Sequence, residues 1–166
     1  MRILRLALVA CCAAQELAGQ GFEPGQKGPT DVWFFAPSRD SFTGADQSGA
    51  MVKVVNGDKM AAVVFRCDGH GSLEVSVTTG AFLGLHDSRP VRWRVDPGGA
   101  VHDEGWNPST TGTWVFYPSD VGPFVEALKA GTRLLFEVTD YERVTHQVTF
   151  PLRGFTRAYA RLACRP

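Results

Sequence analysis

From Asp31 onward, apolar positions fall into short runs of four to seven residues, broken by Gly, Pro, Asn and Asp. Leu73-Glu74-Val75-Ser76-Val77 and Val91-Arg92-Trp93-Arg94-Val95 alternate strictly between apolar and polar. That period of two is the mark of a half-buried strand. Ala61 to Cys67 is nearly continuous in apolar residues and reads as a central strand. Val32 to Phe35, Met51 to Val55, Thr113 to Tyr117, Arg133 to Val138 and Val144 to Phe150 complete a set of about eight strands. Asn56-Gly57-Asp58 suits a type I′ hairpin, and Thr139 to Glu142 a second tight connection. Ala36 to Ser48, with Pro37 and Gly44, reads as a polar loop.

Two stretches carry the other period. Phe124, Val125 and Leu128 form an apolar stripe between Pro123, suited to a first helical turn, and Gly131, placed as a C-cap glycine. Phe155, Ala158, Tyr159 and Leu162 recur at i, i+3, i+4 and i+7 within a helix expected from Phe155 to Cys164. Tight turns between neighbouring strands make the sheet mainly antiparallel, and no βαβ alternation suggests a parallel one. The expected fold is mainly β: an antiparallel β-sandwich or curled sheet with two short flanking helices.

The N-terminus follows another pattern. Arg2 and Arg5 precede Leu6-Ala7-Leu8-Val9-Ala10, followed by small residues to Ala14, the layout of a secretory signal peptide. Cleavage is expected after Ala14 or near Ala18-Gly19-Gln20. The reading assigns 1–20 to the signal, 21–29 to a flexible tail and 30–166 to one β-rich domain. The apolar run is far shorter than the ~20 residues of a membrane span, so none is expected after signal removal. Leu8-Val9-Ala10-Cys11 also fits a lipobox, which would place an acyl chain on Cys11 and make an outer-membrane lipoprotein. Only ten residues precede Cys11, so a soluble periplasmic product is the leading expectation.

Signal removal leaves Cys67 and Cys164. An oxidising compartment would join them, and the alternative is two free buried thiols. Lys and Arg number 17, as do Asp and Glu, so the formal net charge is zero. With no basic stripe either, a nucleic-acid partner is not expected.

Candidate chemistry is sparse. There is no Gly-x-Ser-x-Gly elbow, no phosphate-cradling Gly-x-x-x-x-Gly-Lys and no tight Cys/His spacing, so neither cofactor nor metal is expected. His70, His86, His102 and His146 make no His-x-x-x-His pair. His102-Asp103-Glu104 is the densest group of potential ligands and reads as a polar turn before Trp106. Glu74, Glu137, Asp140 and Glu142 give no convincing catalytic pair. Trp93 and Trp114 are assigned to the core, since aromatic residues dominate burial in small β domains. Trp106 with Asn107, Ser109 and Thr110 is the candidate contact surface.

One resemblance spans roughly residues 60–164. In order come Phe65-Arg66-Cys67, Leu73-Glu74-Val75, Phe82-Leu83-Gly84, Val91 to Asp96, Trp106, Ser109-Thr110 and Gly112-Thr113. Phe124, Leu128, Leu134-Leu135-Phe136, Thr149-Phe150, Leu152, Gly154 and Cys164 follow. This layout resembles the VasI/TagO-like proteins, small envelope proteins often encoded with type VI secretion systems. The resemblance implies a periplasmic or outer-membrane-attached accessory protein with bridged cysteines. The expected function is a non-enzymatic envelope accessory that binds an envelope protein or peptidoglycan. The alternatives are a peptidoglycan-acting hydrolase and an inhibitor or immunity-like protein.

Overall fold

A computed structural model describes residues 30–117 and 120–165. The expected signal peptide, tail and lipidation site at Cys11 lie outside the described residues. Nine strands and two helices follow one another. They are β1 (Phe34–Ala36), β2 (Gly49–Asn56), β3 (Lys59–Cys67), β4 (Leu73–Thr78), β5 (Arg89–Val95), β6 (Ala100–Pro108), β7 (Val115–Phe116), α1 (Gly122–Ala130), β8 (Arg133–Thr139), β9 (Thr145–Pro151) and α2 (Phe155–Tyr159). All strands belong to one antiparallel sheet, in the order β1-β2-β3-β4-β7-β6-β5-β8-β9. Of the two expected architectures, the curled sheet is the one adopted. The curl brings β9 back toward β2, and the Asn56 side-chain amide donates to the Gln147 carbonyl at 3.5 Å. The result is a half-barrel.

Alternation decides what fills the concave side. Val91, Trp93 and Val95 of β5, Leu134, Phe136 and Val138 of β8, and Val148 and Phe150 of β9 are all buried in one core. The apolar faces of both helices fill the same space. Phe124 of α1 stacks on Phe65 at 6.2 Å between ring centroids and on Tyr117 at 5.4 Å. Phe155 of α2 meets Trp33 edge-on at 4.8 Å. Such pairs are each worth about 0.5–1.5 kcal/mol beyond simple burial. Among the described residues, no helix is long and apolar enough to cross a membrane.

Cys67 and Cys164 form a disulfide with their Cα atoms 5.6 Å apart, closing the alternative of free thiols. It ties the end of β3 to the segment after α2, across a sequence separation of 97.

Four local expectations change. Asn56 pairs with Lys59, so Gly57 takes the first central turn position with φ +66°, while Asp58 keeps a negative φ. That is the II′ pattern, with glycine leading the turn, rather than I′. Gly131 follows α1 as expected, but with extended backbone (φ −106°, ψ −179°). Glycine is needed there because a Cβ would overlap Val95 Cγ1. The regular part of α2 ends at Tyr159, although Leu162 still packs in the core. The His102-Asp103-Glu104 turn is instead part of β6, whose pairing with β5 shifts register between Arg89 and Val91.

Candidate functional site

The two ends of the half-barrel are built differently. At one end lie the 96–99 turn, the starts of both helices and the disulfide. At the other lie the β2–β3 hairpin, the β4–β5 loop (79–88), the β6–β7 loop (109–114) and the β8–β9 turn (140–144). The candidate site is at this loop end.

Two glycines bring the loops together. Leu83 N–H donates to the Gly112 carbonyl at 2.6 Å. A Cβ on Gly112 (φ +70°) would lie 2.5 Å from Phe82 Cε2 and 2.9 Å from the Gly84 carbonyl oxygen. A Cβ on Gly84 (φ +105°) would lie 2.5 Å from Arg89 Nη2 and 3.1 Å from Tyr141 Cβ. Only glycine suits a positive φ with so little room. Phe82 and Tyr141 then meet edge-to-face at 5.5 Å. Phe82 stays 46% exposed, Leu85 44% and Tyr141 53%.

Beneath these side chains lies Arg89, only 8% exposed. Its Nε–H is sealed from solvent and finds no acceptor. Arg89 stands directly opposite Trp106 in the β5–β6 register, and the Trp106 indole N–H is likewise buried without an acceptor. Paired residues of an antiparallel ladder share a face. Two buried N–H donors, one on each of these paired strands, are therefore without an acceptor.

The candidate contact surface is corrected here. Trp106 is fully buried, edge-on to Tyr117 at 4.9 Å and Phe136 at 5.2 Å. Its side chain cannot meet a partner, because β6 carries it to the concave face. Asn107 and Thr110 are exposed and Ser109 is half-buried. Ser109, Thr111 and Thr113 link their hydroxyls in a chain at 3.0 and 3.1 Å, and Ser109 Oγ accepts from Trp114 N–H at 3.3 Å. Those groups brace the loop that places Gly112. Trp93 is buried as expected, its indole N–H donating to Asp103 at 2.6 Å. Trp114 is only half-buried, since Val115 takes the inward position of that strand.

The sequence reading missed Phe82, Leu85, Tyr141 and Arg89 as a group. One signal was available for Arg89, which continues the inward series of Val91, Trp93 and Val95 two residues earlier.

The histidines do not converge. His70, His86 and His102 are exposed. His146 pairs with Asp140, Nε2 to Oδ2 at 2.8 Å. Asp140 Oδ1 also accepts the backbone N–H groups of Glu142 and Val144, both at 2.9 Å. Burial alone would raise the Asp140 pKa. The bonds from His146, Val144 and Glu142 outweigh it and hold the carboxyl below its ordinary value. The pair thus shapes the turn that presents Tyr141. Glu74 is in an ion pair with Arg66 at 2.6 Å, and Glu137 in one with Arg92 at 2.7 Å. Among the described residues, no group of three or more His, Cys, Asp and Glu side chains could hold a metal.

No protein-family model matches the chain. No curated protein matches it either. A crystal structure of invasion associated protein B from Bartonella henselae is similar in fold, with a TM-score of 0.57 and 22% identity over 81% of this chain and 93% of that one. At that identity the likeness establishes a shared fold.

Proposed function

We propose that this is an exported, non-enzymatic protein of the bacterial cell envelope that receives a protein partner at its loop end. The observation that carries the reading is the contiguous cluster of Phe82, Leu85 and Tyr141, each about half exposed, on a scaffold that buries most of its other large apolar side chains. Apolar side chains gathered on a surface mark interaction sites more often than scattered ones do. The disulfide supports an oxidising compartment, because such bonds persist there and are rare in the cytosol. The resemblance of residues 60–164 to VasI/TagO-like proteins makes type VI secretion components the first partners to test.

A photo-crosslinking residue at position 82, expressed in the native host, should give one defined adduct in the periplasmic fraction. Tyr141→Ala should abolish it. The same residue at Phe42, 97% exposed in the loop between β1 and β2, is the control and should give none. No adduct at 82, or the same adduct at 42, overturns the reading. The hydrolase alternative draws on the His146–Asp140 pair. Soluble fragments released from peptidoglycan, and lost in a folded His146→Gln variant, would replace binding with catalysis.

A further inference from the structure

We propose that the cleft between α1 and α2 binds an aliphatic phosphomonoester, its phosphate held by Lys129 and Arg165 and its hydrocarbon lying along the apolar walls. This site shares no residue with the loop end.

The zero net charge of the chain hides one local excess. Residues 152–165 contain Arg153, Arg157, Arg161 and Arg165 and no acid. Among the described residues, none of the four joins an ion pair. Arg161 lies instead over the Phe35 ring at 4.1 Å. The field about α2 is therefore positive and favours anions.

Beside this excess, a cleft of about 450 Å³ opens between the two helices. Small-molecule sites commonly occupy about 300–1,000 Å³. Val125, Ala160 and Ala163 supply apolar wall, and Lys129 and Arg165 supply cations. Tyr159 also lines the cleft, although it is only 5% exposed. Its ring packs against Phe65 at 5.7 Å and Phe155 at 5.4 Å, and the Lys129 ammonium lies over it at 5.3 Å. Its hydroxyl has no hydrogen-bond partner among the described residues, yet it is not sealed from solvent. Burial raises the phenol's pKa, Lys129 and Arg165 act against that, and Glu126 acts with it. The net rise keeps the hydroxyl a donor at neutral pH, among charged groups that line the same cleft.

Two carboxylates stand near, and both are engaged. Glu126 Oε1 accepts from Lys129 Nζ at 2.7 Å, and Asp120 Oδ1 accepts from the Gly122 N–H at 2.9 Å. Neither pairs with Arg165. An ammonium has three N–H groups, so Lys129 keeps donors for a ligand. A guanidinium, an ammonium and a phenol hydroxyl thus face one cleft from two elements. A phosphomonoester answers them with three acceptor oxygens and a charge near −2. The apolar wall beside them suits a hydrocarbon chain.

Nuclear magnetic resonance of the nitrogen-15-labelled protein tests this, with hexyl phosphate as the probe. The amides of Gly122, Ala160 and Ala163 should shift together and saturate, while those of Gly84 and Gly112 at the loop end stay in place. Inorganic phosphate lacks the hydrocarbon and hexanoate lacks the phosphate, so each should bind at least about tenfold more weakly. Arg165→Gln should weaken hexyl phosphate about tenfold, through the lost charge-assisted bonds. Tyr159→Phe should weaken it several-fold without lowering the melting temperature, because the hydroxyl it removes has no partner within the protein. Arg143→Gln, at the loop end, should change nothing. Sedimentation with phosphatidylcholine vesicles containing phosphatidic acid then separates two sources of the ligand. Co-sedimentation that Arg165→Gln abolishes assigns the phosphate to a lipid headgroup, and saturable hexyl phosphate binding without it assigns a soluble ester. The proposal fails if hexyl phosphate does not saturate, or if hexanoate binds equally well. It fails too if Arg165→Gln and Tyr159→Phe, both folded, keep the parent's affinity.

Discussion

The two ends of the half-barrel use the same kinds of residue to opposite effect. At the helix end, aromatic rings are consumed in packing: Phe65 touches Trp33, Phe124, Phe155 and Tyr159, and it has no exposed surface. The chain there is also fastened by the disulfide. At the loop end, Phe82 and Tyr141 have one another and water, and the nearest cation has no counter-ion. Surplus apolar surface and unspent hydrogen-bond donors occur together. A fold optimised for stability alone would remove both, and the proposed binding function rests on their coincidence at this end.

The comparison can be broken at several points. The largest effect expected is from Trp106→Ala, at about 3–5 kcal/mol, because the indole is wholly buried among Tyr117, Phe124 and Phe136. Trp114→Ala should cost less than half as much. Guanidinium unfolding of both variants measures this, and equal costs would contradict the inward and outward assignment. Replacing Cys67 and Cys164 together by Ser should cost about 2–5 kcal/mol, given the long loop the bond closes. Alkylation of the native protein should label neither thiol before reduction.

Smaller changes concern the loop end. Asp140→Ala should cost about 1–3 kcal/mol through its lost hydrogen bonds to the turn. The folded Asp140 carboxyl titrates below its ordinary value. Its contribution is therefore complete above the unfolded pKa and lost as pH falls through the folded one. The gap in stability between the parent and Asp140→Asn should accordingly narrow below about pH 4. The smallest expected effect is on the exposed cluster itself. Phe82→Ala and Tyr141→Ala should change stability by no more than about 0.5 kcal/mol while removing the crosslinked partner. A large loss of stability in either would show that the cluster belongs to the core.

Much of the scaffold was legible in the chain. The alternation of 73–77 and 91–95 and the helical stripe at 124–128 became elements with little adjustment, because each carries a clear polar phase. The tryptophans show where that logic stops. Thr113-Trp114-Val115-Phe116-Tyr117 has no polar phase, so nothing local states that Val115 and Tyr117 turn inward and Trp114 outward. His102 to Asn107 looks like a loop by composition. Its strand character comes from partners on β5, where Asp103 also accepts the Trp93 indole N–H. Gly131 was identified by position, while its cause, contact with Val95, is tertiary. The candidate site was least legible. Phe82, Gly84, Gly112 and Tyr141 lie on three separate connections and Arg89 at the start of β5, and only the pairing of the strands makes them neighbours.

The clasp between the chain's beginning and its end bears on the order in which the molecule can be completed. Trp33 donates to the Pro151 carbonyl through its indole and to the Arg153 carbonyl through its backbone, and α2 packs against β1 and β2. β4 meets β7 only after the intervening β5–β6 hairpin has been made, and Cys67 waits for Cys164. A chain emerging N-terminus first therefore carries β4 without its outer neighbour until β7 has arrived, and β1 and β2 without their cover until α2 has. For that interval the unpaired edge of β4 and the bare concave face are open to mispairing and aggregation. Such a polypeptide gains from being held unfolded until it is whole, and a version cut short before Pro151 should find no stable resting place.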